Sequence, residues 1–188
     1  MGTPKAMLDA GGITFIERVI QSLRDGGCEQ ILVALPTLKG PISTKATENG
    51  AMVITNHCPA EGPIGSLRVA LRTLSLSVDG IAFCPVDYPL LQADTVLTLI
   101  EEMELKNAPL TIPIFQGKRG HPVVFKKTLF NELLNGYLPQ GAKTVVHRHL
   151  DVASLVPVED EGVVIDINDM KDYRKHFPDS CRKNFQVR

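Results

Sequence analysis

Apolar residues recur along this chain in two rhythms, and their succession sets out an architecture before any motif is considered. Ile16, Val19, Ile20 and Leu23 fall on one face of a helix from Phe15 to Arg24, with Thr14 as its N-cap and Asp25-Gly26-Gly27 as its stop. Ile31 to Leu35 is an unbroken apolar run closed by Pro36, the pattern of a buried strand. A weaker helix over Ile42 to Glu48 and a strand over Met52 to Thr55 follow. Leu67, Ala70, Leu71 and Leu74 give helical spacing from Ile64 to about Ser77, and Gly80 to Cys84 reads as a third buried strand. Asp94 is the expected cap of a helix ending near Lys106. Leu110 to Ile114 and Pro122 to Phe125 read as strands around the loop Gln116 to His121. Helices are expected over Thr128–Leu134 and Ala142–Leu150, and strands over Val152–Val158 and Val163–Ile165. Met170 to Phe177 closes the domain as a helix.

Strands alternating with helices predict an α/β domain on a mostly parallel sheet. Ligands in such sheets sit beyond the carboxyl ends of the strands. Three polar features fall at those ends: Asn56 to Gly65 after the second strand, Asp87 after the third, and Asp166 after the last.

Composition narrows the partners. The 188 residues make roughly one domain. Twenty Lys and Arg against 21 Asp and Glu leave a net charge of -1, which gives no electrostatic argument for nucleic acid or an anionic membrane. No apolar run reaches membrane length, and without a basic stretch followed by an apolar core near Met1 no secretion signal is expected. Cys28, Cys58, Cys84 and Cys181 form no Cys-x-x-Cys pair, so free thiols in a reducing cytoplasm are expected.

Several residues carry candidate chemistry. Asp87 follows an apolar strand and sits between Pro85 and Pro89, so the turn fixes where its carboxylate points. A hard oxygen there suits Mg²⁺ and substrate phosphates, or else caps its own turn. Asp166 and Asn168 alternate onto one face after Val163-Val164-Ile165, and Asp169 caps the closing helix. They either complete a metal site begun by Asp87 or serve as a strand-to-helix cap. Lys5 is a phosphate partner or a solvated terminal lysine. Gly62, Gly65 and Ser66 open a helix whose free N–H groups could meet an anion or a base edge. Gly120-His121 ends the basic loop Lys118-Arg119, which could grip an anionic second substrate or be a solvated hairpin. His147 and His149 point to different sides of a helix and make a poor metal pair.

In order, the chain carries Met-Gly-x-Pro-Lys-x-x-Leu, Asn…Glu-Gly…Ser-Leu, Cys-Pro-x-Asp-x-Pro-Leu-Leu, Gly-His-Pro-Val-x-Phe and Asp-Glu-Gly-x-x-x-Asp-Ile-Asn-Asp. This series resembles the MobA-like nucleotidyltransferases, and within them the molybdenum cofactor cytidylyltransferase branch. The resemblance implies a three-layer α/β/α sandwich over residues 1–178, with a polar tail at 179–188. It implies transfer of CMP from CTP to a phosphorylated pterin with release of pyrophosphate, in the cytoplasm, with Mg²⁺ as cofactor and a molybdenum hydroxylase as a candidate downstream partner. Lys5 would contact the triphosphate and Asn56, Gly62 and Ser66 the nucleoside. Asp87, Asp166 and Asn168 would hold the metal, and Gly120 and His121 would face the pterin.

Two departures qualify the resemblance. Asn168 stands where the family usually carries Asp, which removes one negative charge from the metal site. The family also opens with an apolar central strand and a Gly-rich nucleotide loop, of which this sequence retains only Met1-Gly2. The expectation is an open slot in the sheet, weak CTP binding, and Met1 as an internal start or fragment boundary. A guanylyl- or sugar-phosphate transferase and a non-catalytic hydroxylase accessory protein are the alternatives.

Overall fold

The computed structural model describes residues 3–75 and 77–180; Met1, Gly2, Leu76, Cys181 and all of the expected tail beyond Ser180 lie outside the described residues. Helix α1 (Phe15–Asp25) starts where its sequence says it should. The Thr14 hydroxyl accepts the Glu17 N–H at 3.4 Å, and the Glu17 carboxylate takes the Thr14 N–H at 2.8 Å, so two orphan donors satisfy each other's partners. Lys45 and Asn49, at 3.1 and 3.4 Å, donate to the other Glu17 oxygen. Burial alone would raise the Glu17 carboxyl, but these hydrogen bonds outweigh it and hold the group at about 2.

The strands are β1 (Leu32–Leu35), β2 (Met52–Thr55), β3 (Gly80–Phe83), β4 (Leu110–Phe115), β5 (Lys118–Arg119), β6 (Val123–Lys126) and β7 (Ser154–Pro157). The remaining helices are α2 (Pro41–Glu48), α3 (Pro63–Thr73), α4 (Ala93–Lys106), α5 (Phe130–Asn135), α6 (Ala142–Arg148) and α7 (Met170–His176). Alternate strand residues feed opposite faces. Val123 and Phe125 of β6 join Leu67 and Leu71 of α3, Leu133 of α5 and Val145 of α6, whereas Val124 between them meets Leu99 and Met103 of α4. Helices therefore cover both sides of the sheet, as a three-layer α/β sandwich requires.

The strand pairing is more mixed than the expected mostly parallel sheet. β1 with β2 and β4 with β7 are parallel, while β3–β6, β4–β6 and β4–β5 are antiparallel. The reason is local. Gln116 and Gly117, at φ 47° and 77°, close a two-residue turn that reverses the chain after β4. The basic loop is thus a true hairpin, with Ile114 opposite Arg119. A second correction concerns Val163–Ile165, expected as a strand. Glu161–Val164 is a 3-10 turn, because the buried Asp160 accepts the Gly162 N–H at 2.8 Å and curls the chain. Asp94 is likewise not a cap: it lies inside α4, whose N-cap position is Gln92.

The strands form two separate sheets, β1–β2 and β3–β6–β4–β5 with β7 on β4. Among the described residues no ladder joins β1 to β3. A cavity of about 450 Å³ lies between them. At the other end of the chain, Ser180 is buried and donates to Asp9, while the Gly11 N–H reaches the Ser180 Oγ at 3.0 Å.

Candidate functional site

The Pro85-Val86-Asp87-Tyr88-Pro89 turn leaves β3 at its carboxyl end, and the segment after the Glu161–Val164 turn is stitched to it. The Ile167 N–H donates to the Asp87 carbonyl at 2.8 Å. That backbone bond brings two regions far apart in sequence side by side. Lys5, in the 3-10 turn Lys5–Met7, places its Nζ 2.6 Å from Asn168 Oδ1 and 3.5 Å from Asp87 Oδ2. The Asn168 amide in turn donates to Asp166. Four of the expected residues, Lys5, Asp87, Asp166 and Asn168, therefore form one polar cluster. Asp166 and Asn168 face each other from extended chain that belongs to no strand.

Asp87 Oδ1 is buried and has no hydrogen-bond partner among the described residues. An uncompensated buried carboxylate oxygen is costly. The donor types around it, two carboxylates and an amide oxygen, are the hard oxygens that Mg²⁺ and Mn²⁺ favour. The Lys5 ammonium is only distantly paired with Asp87 and so remains able to meet an anion. No cluster of three or more His, Cys, Asp or Glu is present among the described residues, so any cation here would draw on Asn168 and on substrate oxygens as well.

A second group forms at the start of α3. Asn56, only 5% exposed, donates its Nδ2 to Ser66 Oγ at 3.2 Å and accepts the Cys58 N–H at 2.9 Å. These two bonds fix which way the amide faces. Gly62, at φ 66°, is the N-cap, and no side chain caps the helix there. The backbone approaches closely at Gly65, where an added Cβ would stand 3.1 Å from the Cys58 carbonyl oxygen.

The third group surrounds His121. Its N–H donates to the Val163 carbonyl at 2.8 Å, and Gly120 packs so tightly on that carbonyl that a Cβ would lie 2.2 Å from the oxygen. Tyr88 and His121 stand with ring centroids 4.7 Å apart at 57°, and Phe83 meets the other side of the imidazole edge-on at 6.2 Å. Burial pushes the imidazole below its ordinary value, against the Phe83 carbonyl and the fields of Asp87 and Asp166. Burial pushes the Tyr88 phenol up to about 12, reinforced by Asp166, Asp87 and Cys84. Tyr88 thus feels both carboxylates and links the polar cluster to the His121 group. A cavity of about 660 Å³ opens here, walled by Ile64, Tyr88, His121 and Val123, with Arg119 and Lys143 also lining it.

Sequence reasoning assigned no role to Tyr88 or Asp160. Tyr88 carried a signal, being next to Asp87 between two prolines. Asp160 lies inside the Asp-Glu-Gly motif, but nothing in its spacing shows that its buried carboxylate accepts the Gln92 N–H at 2.9 Å and the Thr95 hydroxyl at 3.0 Å. His149 pairs with Glu132 at 2.7 Å, a packing role, while His147 lines the larger cavity.

Comparison with known proteins yields a consistent set of likenesses. The model of the MobA-like NTP transferase domain matches residues 1–153. Rv0371c from Mycobacterium tuberculosis is 25% identical and superposes with a TM-score of 0.75, covering 93% of this chain and 89% of that one. Its manganese complex aligns at 23% identity and a TM-score of 0.73, covering 94% of this chain and 93% of that one. Molybdopterin-guanine dinucleotide biosynthesis protein A from Archaeoglobus fulgidus shares the fold at 19% identity and a TM-score of 0.69, covering 97% of this chain and 92% of that one. No curated protein matches the chain in sequence.

Proposed function

This chain belongs to the MobA-like NTP transferase domain family, a nucleotidyltransferase family, and from that premise we propose that it transfers CMP from CTP to a molybdopterin-type phosphate. The pterin phosphate oxygen would bond to the α-phosphorus, and the bond from that phosphorus to the β-phosphate oxygen would break to release pyrophosphate. Such a transfer needs positioning and charge neutralisation more than covalent help.

The observation that carries the reading is the orphaned, buried Asp87 Oδ1 beside Lys5, Asn168 and Asp166. Asp87, Asp166 and Asn168 would hold Mg²⁺, which would offset the negative charge gathered on the phosphates. Lys5 would turn from Asp87 to the triphosphate. Asn56, held by Ser66 and Cys58, would offer a fixed amide to the nucleoside, with Gly62 leaving the α3 N-terminus open beside it. Gly120 would hold His121 in place, and the tilted Tyr88 and His121 rings would offer one aromatic wall to a planar pterin. Arg119 and Lys143 would supply positive charge to the acceptor's phosphate.

The test is Asp87→Asn with Mn²⁺ titration and a pyrophosphate-release assay. A unit charge about 4 Å away is worth roughly 1–4 kcal/mol between bulk water and a protein surface, so Mn²⁺ affinity should fall by roughly fivefold or more. Unchanged Mn²⁺ binding by a folded variant would overturn the metal assignment. A thermal-shift panel of CTP, GTP, ATP and UTP fixes the base. Stronger stabilisation by GTP would assign a guanylyl transfer instead.

A further inference from the structure

Arg68 of α3 commits each of its three guanidinium nitrogens to a different partner. Nε donates to the Leu133 carbonyl at 3.1 Å, Nη2 to the Gly136 carbonyl at 3.0 Å, and Nη1 to the Glu61 carboxylate at 3.3 Å. The first two partners lie at the end of α5, where carbonyls lack helical donors. The third is the last residue of the 3-10 turn Pro59–Glu61, in the loop that starts at Asn56. Ser66, two residues before Arg68 on α3, accepts the Asn56 amide. Past Gly136, Arg148 Nη2 donates to the Tyr137 carbonyl at 3.3 Å, and the Gly141 N–H donates to the Leu138 carbonyl at 2.9 Å. Gly141, at φ 60°, lies against Ile64 in the first turn of α3. Glu61, Ile64, Gln140, Gly141 and Lys143 all line the cavity of about 660 Å³.

We propose that Arg68 is a positioning residue that couples the two substrate sites, setting the cavity rim at 136–143 according to the state of the loop at 56–62. The role rests on the proposed division of labour, in which that loop meets the nucleoside and the larger cavity meets the acceptor. Pinning α5 to α3 needs only the Leu133 and Gly136 carbonyls. The N–H given to Glu61 is the one that reaches a substrate loop. A guanidinium is a planar, rigid fork, so a turn of its plane that follows Glu61 misaligns the bonds to Leu133 and Gly136. A nucleotide that shifts or orders the Glu61 loop therefore changes how the rim is held. By linkage, the acceptor changes nucleotide affinity by the same factor. A lysine, one point charge on a flexible stem, cannot hold three such partners in fixed directions.

Hydrogen exchange on the full chain tests this with the parent, Glu61→Gln, Arg68→Lys and the double variant. The reporters are the Gly136 N–H, on the Glu132 carbonyl at 2.8 Å, and the Gly141 N–H. Without ligand, Glu61→Gln should speed exchange at both by roughly two- to fivefold, the worth of one surface ion pair, and should add nothing in the Arg68→Lys background. No change at these amides in Glu61→Gln would overturn the proposal, and that comparison needs no substitution at Arg68. A change of equal size in both backgrounds would overturn it too. With CTP and Mg²⁺, exchange in the parent should slow at Glu61, Gly62, Gly136 and Gly141, whereas in Arg68→Lys it should slow at Glu61 and Gly62 alone. Protection of all four amides in Arg68→Lys, or of Glu61 and Gly62 alone in the parent, would overturn the coupling. If CTP protects none of the four in the parent, the CTP reading of the loop fails, and the ligand-free comparison still decides the role of Arg68.

Discussion

Replacing Gly120 by alanine asks how much of the site rests on one close backbone contact. The new methyl would stand 2.2 Å from the Val163 carbonyl oxygen, 2.7 Å from its carbon and 2.8 Å from the Val163 Cβ. Carbon and oxygen at van der Waals contact need about 1 Å more than the shortest of these. The carbonyl cannot simply swing away, because it accepts the His121 N–H at 2.8 Å. Losing that bond costs about 0.5–1.5 kcal/mol. Forcing the methyl into the packed contact adds about 1–3 kcal/mol. The sum is roughly 2–4 kcal/mol, and at about 2–4 °C per kcal/mol for a chain of this size the midpoint should drop by roughly 4–16 °C. The displaced residues are His121 on one side and the segment leading to Asp166 on the other. A shift near 1 Å can lower a positioned reaction by roughly a hundredfold, so activity should fall more than stability accounts for. Urea unfolding followed by circular dichroism measures the first effect. If Gly120→Ala unfolds within about 0.5 kcal/mol of the parent, below the range expected for a packing defect, the reasoning fails.

Two further outcomes follow from the same geometry. Asp160→Ala strands three donors, the Gln92 and Gly162 N–H groups and the Thr95 hydroxyl, and should destabilise the fold by about 3–5 kcal/mol; a urea midpoint shift worth under 1 kcal/mol would show that the carboxylate does not anchor α4. His121 is held below its ordinary value by burial, so as pH falls through about 6.5 the unfolded chain takes up a proton that the folded site resists. Stability should therefore decline on acidification from pH 7, and His121→Phe should flatten the decline; identical pH profiles for parent and variant would count against a buried neutral imidazole.

The local elements were written in the sequence because their causes are local. Thr14 and Glu17 sit three apart and cap α1 without outside help, and Asp169 likewise accepts the Lys171 and Asp172 N–H groups at the start of α7. Apolar runs marked β1, β2, β3 and β6, and β6 packs between α3, α5 and α6 on one side and α4 on the other. Where a strand pattern failed, at Val163–Ile165, a buried carboxylate and the close fit of Gly162 under the Leu90 carbonyl overrode an apolar triplet. No periodicity encodes a contact with a residue some 70 positions away.

Chain order alone therefore determined that this is an alternating α/β chain and put Asp87 just after β3, but the strand it expected before Asp166 is a 3-10 turn. Only the tertiary structure decided that Lys5, Asp87 and Asn168 meet, that Tyr88 leans on His121, and that no ladder among the described residues joins β1 to β3. Hydrogen bonds between distant segments, such as Ile167 N–H to the Asp87 carbonyl, exist only once the layers have packed. Burial then sets the charge state of His121 and Tyr88, because desolvation is a property of the assembled site and not of either residue.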